Sequence, residues 1–326
     1  MSSSTAGSRR PRVVVLGAGY AGLMTAKQVA RRSNAQVTVI NERDRFVERV
    51  RLHQLASGQR LPDLPLRELL DGTGIELIVD RVIAIDPDDR SVRVEGSTDP
   101  VPYDYLVYAL GSGPDKDAVP GVAEHAFAIG APDDAARLAD RLRHDEHTTV
   151  AVVGGGLTGI EAATEIAESH PRATVRLVTG EPFGDRLSAA GRRHLHRTFD
   201  RLGIDIVENA TVVKVGPDGV VLGDDTTVDA DAVVWTTGFR VPGLAREAGL
   251  TVDDNGRMVV DESLRSVSHP EVYGVGDAAA ARMPNGGPEL RMACATGLPS
   301  AVYVARGIAR RLRGQQEKPL KYRFFN

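Results

Sequence analysis

A single cysteine, Cys294, stands in the whole chain, so neither an internal disulfide nor a Cys-x-x-Cys redox pair is available to it. Such a composition fits a reducing cytosol, and a cytoplasmic location is expected. Long apolar runs are also missing. None approaches the ~20 residues of a membrane span, and the opening MSSSTAGSRRPR leads only into VVVL, too short for the apolar core of a secretion signal. Excess positive charge is lacking too. Lys+Arg total 40 against 44 Asp+Glu, a net charge of -4, which gives no global field for nucleic acid. The one local basic cluster, RGIARRLRG at 306 to 314, is expected to be a solvated helix face. What remains is ordinary for a soluble globular protein, 42% apolar and 26% charged, and 326 residues suffice for two core-forming domains.

Two glycine-rich segments carry most of the information. VVVLGAGYAGLMTAK at 13 to 27 aligns without a gap on VVGGGLTGIEAATE and its flanks, Gly154 on Gly17, Gly156 on Gly19 and Gly159 on Gly22. In a GxGxxG turn between strand and helix, the first glycine takes a conformation costly for other residues. The second lets the backbone approach a pyrophosphate, and the third permits close helix-strand packing under a helix N-terminus that favours anions. Each copy follows an apolar strand, opens a helix and is succeeded by another strand, QVTVIN in the first and TVRLVTG in the second, so both satisfy the context that the motif requires.

The repeat extends beyond the fingerprints. ELIVDRVIAID and SVRVEG predict an antiparallel meander after the first unit, followed by an apolar strand in DYLVYALGSG that closes on Gly111. DIVENATVVKV and GVVLGDDTTV predict a second meander, followed by DADAVVWTTG, which closes on Gly238. After about 243 the plan breaks: HPEVYGVGDAAA ends a strand in Gly276-Asp277, and PSAVYVARGIARRL predicts a helix. A strand with no counterpart in the second unit is best explained as completing the first. The expected fold is α/β, with two Rossmann-like dinucleotide-binding domains, the second inserted in the first, each with a small antiparallel meander. Expected boundaries are a flexible tail over 1 to 11, a first domain over 12 to 113 and 243 to 326, and a second over 114 to 242.

Some positions leave alternatives open. An acid at the end of the second strand commonly bonds the adenosine ribose. The first unit offers Asn41 or Glu42 there, and the second offers Thr179 and Gly180, with no carboxylate and no immediate arginine, Arg176 and Arg186 being near in sequence only. NADH and NADPH both remain open. Glu161 stands where the first unit has Met24. With Glu165 and Glu168 it forms a polar stripe that either faces water or, beside the glycine turn, meets bound nucleotide.

Together LGAGYAG, VVGGGLTGIEAA, VVWTTGF and VYGVGDAA resemble the two-dinucleotide-binding-domain flavoproteins of the pyridine nucleotide-disulfide reductase-like superfamily, and among them the type II NADH dehydrogenases and apoptosis-inducing-factor-like proteins. The resemblance implies that FAD lies on the first fingerprint, at Gly17, Ala18, Gly19, Tyr20, Ala21 and Gly22. Asn41 or Glu42, Val82, Ala109, Gly111 and Gly276 are implied to complete its site with Asp277, Ala293 and Thr296; Asp277 alternatively caps an Ala-rich helix. NADH or NADPH is implied to lie on Gly154, Gly155, Gly156, Leu157, Thr158 and Gly159, with Thr179 and Gly238. Glu161 is then placed between nicotinamide and flavin, and His53, in FVERVRLHQLASG, where relatives often carry tyrosine, becomes a proton donor or acceptor. No metal site is implied.

The implied activity is hydride transfer from NAD(P)H to FAD, with electrons passed to an acceptor that the sequence does not name: a quinone, a small metabolite, oxygen or an electron-transfer protein. The alternative is an NADH-responsive flavoprotein that acts as a redox switch or interaction protein with little turnover. Three departures qualify the resemblance. The redox cysteine pair of the disulfide reductases is missing, LRMACATGLPSA lacks the glutamine-containing quinone segment, and KPLKYRFFN ends where the family's C-terminal segment begins. Stable membrane insertion is not expected, and a homodimer is compatible with the sequence.

Overall fold

The computed structural model describes residues 9–145, 147–283 and 287–321. Most of the expected N-terminal tail lies outside them. The chain divides into two compact units: Met1–Phe46, Asp63–Ser112 and Val241–Asn326 form one, and Val47–Pro62 with Gly113–Arg240 forms the other.

The first unit is built on a five-stranded parallel sheet. Its order is Val272–Gly274, Tyr105–Tyr108, Arg12–Leu16, Gln36–Asn41, Glu76–Val79. Arg12–Leu16 sits at the centre, where both faces are covered and an unbroken apolar run is stable. Alternation divides its side chains. Val13 and Val15 pack with Ala26, Val29, Val304 and Ile308, while Val14 and Leu16 pack with Val92, Val94 and Tyr103. The first layer comes from the fingerprint helix Tyr20–Arg32 and the C-terminal helix Cys294–Arg311, the second from a meander of Val82–Asp86, Ser91–Val94 and Val101–Pro102. ELIV, expected in that meander, instead extends the parallel sheet, with Val39 opposite Leu77. The C-terminal helix also begins earlier than expected and carries Pro299 inside it. Its basic end is only partly solvated. Arg311 lies 5.2 Å from the centre of the Tyr105 ring and bonds the Pro270 carbonyl, so the expected solvated face is corrected at that residue.

The second unit repeats this plan with the order Asp205–Val207, Thr174–Val178, Thr149–Val153, Ala232–Trp235, Ala126–Ala128. Its meander is Val212–Gly216, Gly219–Leu222 and Thr227–Asp229, and Asp205–Val207, expected within it, joins the parallel sheet. One face of the sheet packs on the second fingerprint helix Leu157–Ser169 and the helix Pro132–His144. The short helix Leu52–Ala56 was expected with the first domain. It belongs here because Leu52 (2% exposed) and Ala56 (0%) are buried in the same cluster as Leu138, Ala162 and Ala163.

Candidate functional site

At the first fingerprint Gly17 has φ +94°, and a Cβ there would stand 2.6 Å from the Ala109 carbonyl oxygen. A Cβ on Gly22 would stand 1.9 Å from the Gly17 oxygen, so helix and turn touch backbone to backbone. Gly19 differs: nothing lies within 4 Å of its added Cβ. The turn is therefore closed on the protein side and open on the other. No side chain caps the helix that follows, and its first turn holds no acid, which leaves its positive end to whatever anion approaches.

The strand-end alternatives separate here. Asn41 accepts from the Ala18 N–H at 2.8 Å and donates to the Arg43 carbonyl at 2.7 Å, so its amide braces the turn from inside. Glu42 is exposed, with its carboxylate 3.9 Å from Arg43. Tyr20 opens the helix and meets the Phe46 ring edge-on at 5.0 Å.

Around the same sheet edge, Gly111 (φ +67°) and Gly276 (φ +69°) turn the chain after neighbouring strands. Between these turns Ser112 donates to Asp277 Oδ2 at 2.7 Å. Asp277 lies in the 3-10 turn Gly276–Ala278, and a strand, Ala279–Ala280, follows, so the helix-cap reading of this residue is corrected. A Cβ on Gly276 would reach Ala21 at 3.2 Å, which draws this turn against the first fingerprint helix. A small cavity follows, lined by Gly276, Ala281, Met292, Thr296 and Ser300 among others. The Thr296 hydroxyl is committed to the Arg291 and Ala293 carbonyls, holding the start of the C-terminal helix. Val82 packs into the meander core with Ile85, Val92 and Val94.

The second fingerprint has the same construction. Gly154 has φ +120°, a Cβ on Gly159 would stand 1.8 Å from the Gly154 oxygen, and Gly156 faces open space. Again no side chain caps the helix and its first turn is free of acids. Leu157 is 72% exposed at the mouth of the turn, with Thr158 half-buried beside it. Two contacts depart from the first copy. A Cβ on Gly155 would strike Thr179 Oγ1 at 2.4 Å, which explains glycine where the first copy has Ala18. The Thr236 hydroxyl donates to the Val153 carbonyl at 2.8 Å and fills the space that a Cβ on Gly154 would need. Gly238 turns at φ +75° beside Asp115.

Glu161 does not stand in bare solvent. Its carboxylate lies 3.8 Å from His53 Nδ1, with side-chain exposures of 51% and 14%. One turn on, Glu165 accepts from the Gln59 amide, and His170 Nε2 meets the Ser57 carbonyl at 2.9 Å. The stripe read as a polar face is thus partly covered by the segment that Leu52 and Ala56 anchor. Sequence reasoning missed Ser112 and Thr236. Their only signal is position, each being the small hydroxyl residue beside a strand-ending turn.

The arrangement fits two dinucleotides: each strand-glycine-helix unit offers open backbone and an uncapped helix end where a pyrophosphate would lie. A family model described as pyridine nucleotide-disulphide oxidoreductase matches residues 11–307. The NADH dehydrogenase-like protein Rv1812c of Mycobacterium tuberculosis is 32% identical over 317 residues, covering 90% of this chain and 78% of that protein. The type II NADH:quinone oxidoreductase of Staphylococcus epidermidis is 26% identical, covering 96% and 85%. Among solved structures, NDH2 from Plasmodium falciparum in complex with NADH superposes with a TM-score of 0.81 at 16% identity, covering 92% of this chain and 83% of that one, a likeness of fold.

Proposed function

Because the chain belongs to the pyridine nucleotide-disulphide oxidoreductase family and is an FAD-dependent enzyme of its NADH dehydrogenase-like kind, we propose that it oxidises NAD(P)H and reduces a small-molecule acceptor of the quinone class. The observation that carries the reading is the pair of fingerprints with one construction, a middle glycine open in each and a third glycine seated on the carbonyl of the first. When bound, FAD would supply the hydride-accepting and electron-passing chemistry that no side chain here can supply.

The residues hold and orient. Gly17 to Gly22 would cradle the flavin's pyrophosphate on a turn already braced by Asn41. Asp277, fixed by Ser112, would accept from hydroxyls of the FAD chain. Gly154 to Gly159 would take the NAD(P)H pyrophosphate. Glu161 would orient the carboxamide or hold a proton, and His53 would position its carboxylate. The quinone assignment draws on the Staphylococcus epidermidis relative, whose name states that acceptor.

Anaerobic titration of the FAD-loaded protein with NADH and with NADPH tests the reading. Bleaching of the flavin band by at least one of them, followed by turnover with a short-chain quinone, is expected. A protein that neither retains nor takes up FAD, or whose flavin resists both nucleotides, overturns it.

A further inference from the structure

We propose that Glu181 and Arg186 form a mutually neutralising pair that governs how the second fingerprint treats the adenosine 2′ position, so that the site accepts nucleotides both with and without a 2′-phosphate. The proposal rests on the reading of that fingerprint as the NAD(P)H site. In such folds a carboxylate at the strand end bonds the ribose hydroxyls and repels a 2′-phosphate. The sheet register identifies the strand end. Val153 pairs with Val178 as Leu16 pairs with Ile40, so Thr179 is the counterpart of Asn41. Thr179 is buried, 6% exposed, and its hydroxyl bonds the Glu181 carbonyl at 3.1 Å. With Gly180 next, the first carboxylate after the strand is Glu181.

The loop that carries it is fixed on both sides. Before it, Thr179 lies directly under Gly155 of the fingerprint. After it, Phe183 is 1% exposed, packs 4.5 Å from the Phe199 ring and edge-on to His196, and donates its N–H to Glu208 Oε1 at 2.5 Å. A pinned backbone leaves the choice of partner to side chains. Arg186 Nη2 bonds both oxygens of Glu181, at 3.2 and 3.0 Å, and the two side chains are 80% and 59% exposed. A pair so exposed is weak and exchanges readily.

Two ligands can therefore be met by one pair. For a ribose with free hydroxyls, Glu181 is the acceptor. For a 2′-phosphate, Arg186 leaves the carboxylate for the dianion, where its planar fork makes stronger charge-assisted bonds. Arg192, on the following helix Ala189–Leu202, reaches the Asp185 carbonyl at 3.5 Å and adds a second cation beside this loop.

Calorimetric titration of the FAD-loaded protein with ADP-ribose and with 2′-phospho-ADP-ribose reads the selection without turnover. The wild type should bind both fragments within about tenfold of each other. Glu181→Gln should move the ratio at least about fivefold toward the phosphorylated fragment, and Arg186→Gln about tenfold or more the other way. Ratios that shift less than about twofold in both variants overturn the selector while leaving the nucleotide site standing. A wild type that binds neither fragment removes the nucleotide-site reading, and the selector with it.

Discussion

The Ser112 hydroxyl donates to Asp277 Oδ2 at 2.7 Å and so ties the turn after strand Tyr105–Tyr108 to the turn after its sheet neighbour, Val272–Gly274. The bond fixes one carboxylate rotamer before any ligand arrives. Ser112→Ala should weaken FAD binding roughly tenfold, the size of one hydrogen bond to a charged group. Asp277→Ala should weaken it further. Quenching of FAD fluorescence by the flavin-free protein measures both, and unchanged affinity in Ser112→Ala would show the bond to be irrelevant to the flavin.

Gly155→Ala would drive a Cβ to 2.4 Å from Thr179 Oγ1 and 2.9 Å from its Cβ. Overpacking of this kind costs about 1–3 kcal/mol. The second substitution Thr179→Gly removes the atoms struck, so the double variant should recover most of what Gly155→Ala loses relative to Thr179→Gly alone. Urea midpoints across the four-member cycle give the coupling, and additive effects would contradict the packing.

Leu52→Ala should destabilise the protein by about 2–5 kcal/mol, as large-to-small changes in cores do, since Leu52 is 2% exposed. Glu161→Gln should leave the urea midpoint nearly unchanged and slow flavin bleaching by NAD(P)H about tenfold or more. A matching loss of stability in Glu161→Gln would mark its contact with His53 as structural.

Alkaline pH should unfold the protein through buried phenols. Burial pushes the Tyr108 hydroxyl up to about 12 from 10.0, against an opposing hydrogen bond from the Ala245 N–H, and the hydroxyl donates to the Pro242 carbonyl at 3.2 Å. Burial raises Tyr273 as well, helped by its bond to Glu317. A group raised on folding gives stability that is complete below its unfolded value and is lost as pH climbs to the folded one. The window opens at about pH 10, and Tyr108 alone accounts for about 2–3 kcal/mol by pH 12. Urea midpoints between pH 9 and 12 should fall, and Tyr108→Phe should flatten the decline.

Much of this was legible where the chain repeats itself. The runs VVVL and VAVV within Arg12–Leu16 and Thr149–Val153 are apolar, are followed by glycine and lead into helices, so pattern and turn chemistry agree. ELIV and DIV misled because runs of three or four residues carry no mark of whether their partner is parallel or antiparallel. Leu52 and Ala56 show the deeper limit. Two apolar residues four apart announce a buried helical face, but not which of two cores it enters. The Ser112 and Thr236 hydroxyls were silent for another reason: serine and threonine are common beside turns, and only the register of neighbouring strands shows what they bond.

Asn41 and Thr179 hold corresponding places, yet only Asn41 reaches back to its own glycine turn, through Ala18, while Thr179 bonds forward to Glu181. A turn braced in advance loses less freedom when a ligand settles on it. If the two turns hold FAD and NAD(P)H as proposed, the amide brace from Asn41 suits a tenant that stays through many cycles, and a strand-end hydroxyl turned forward to Glu181 suits a visitor that must leave after each one.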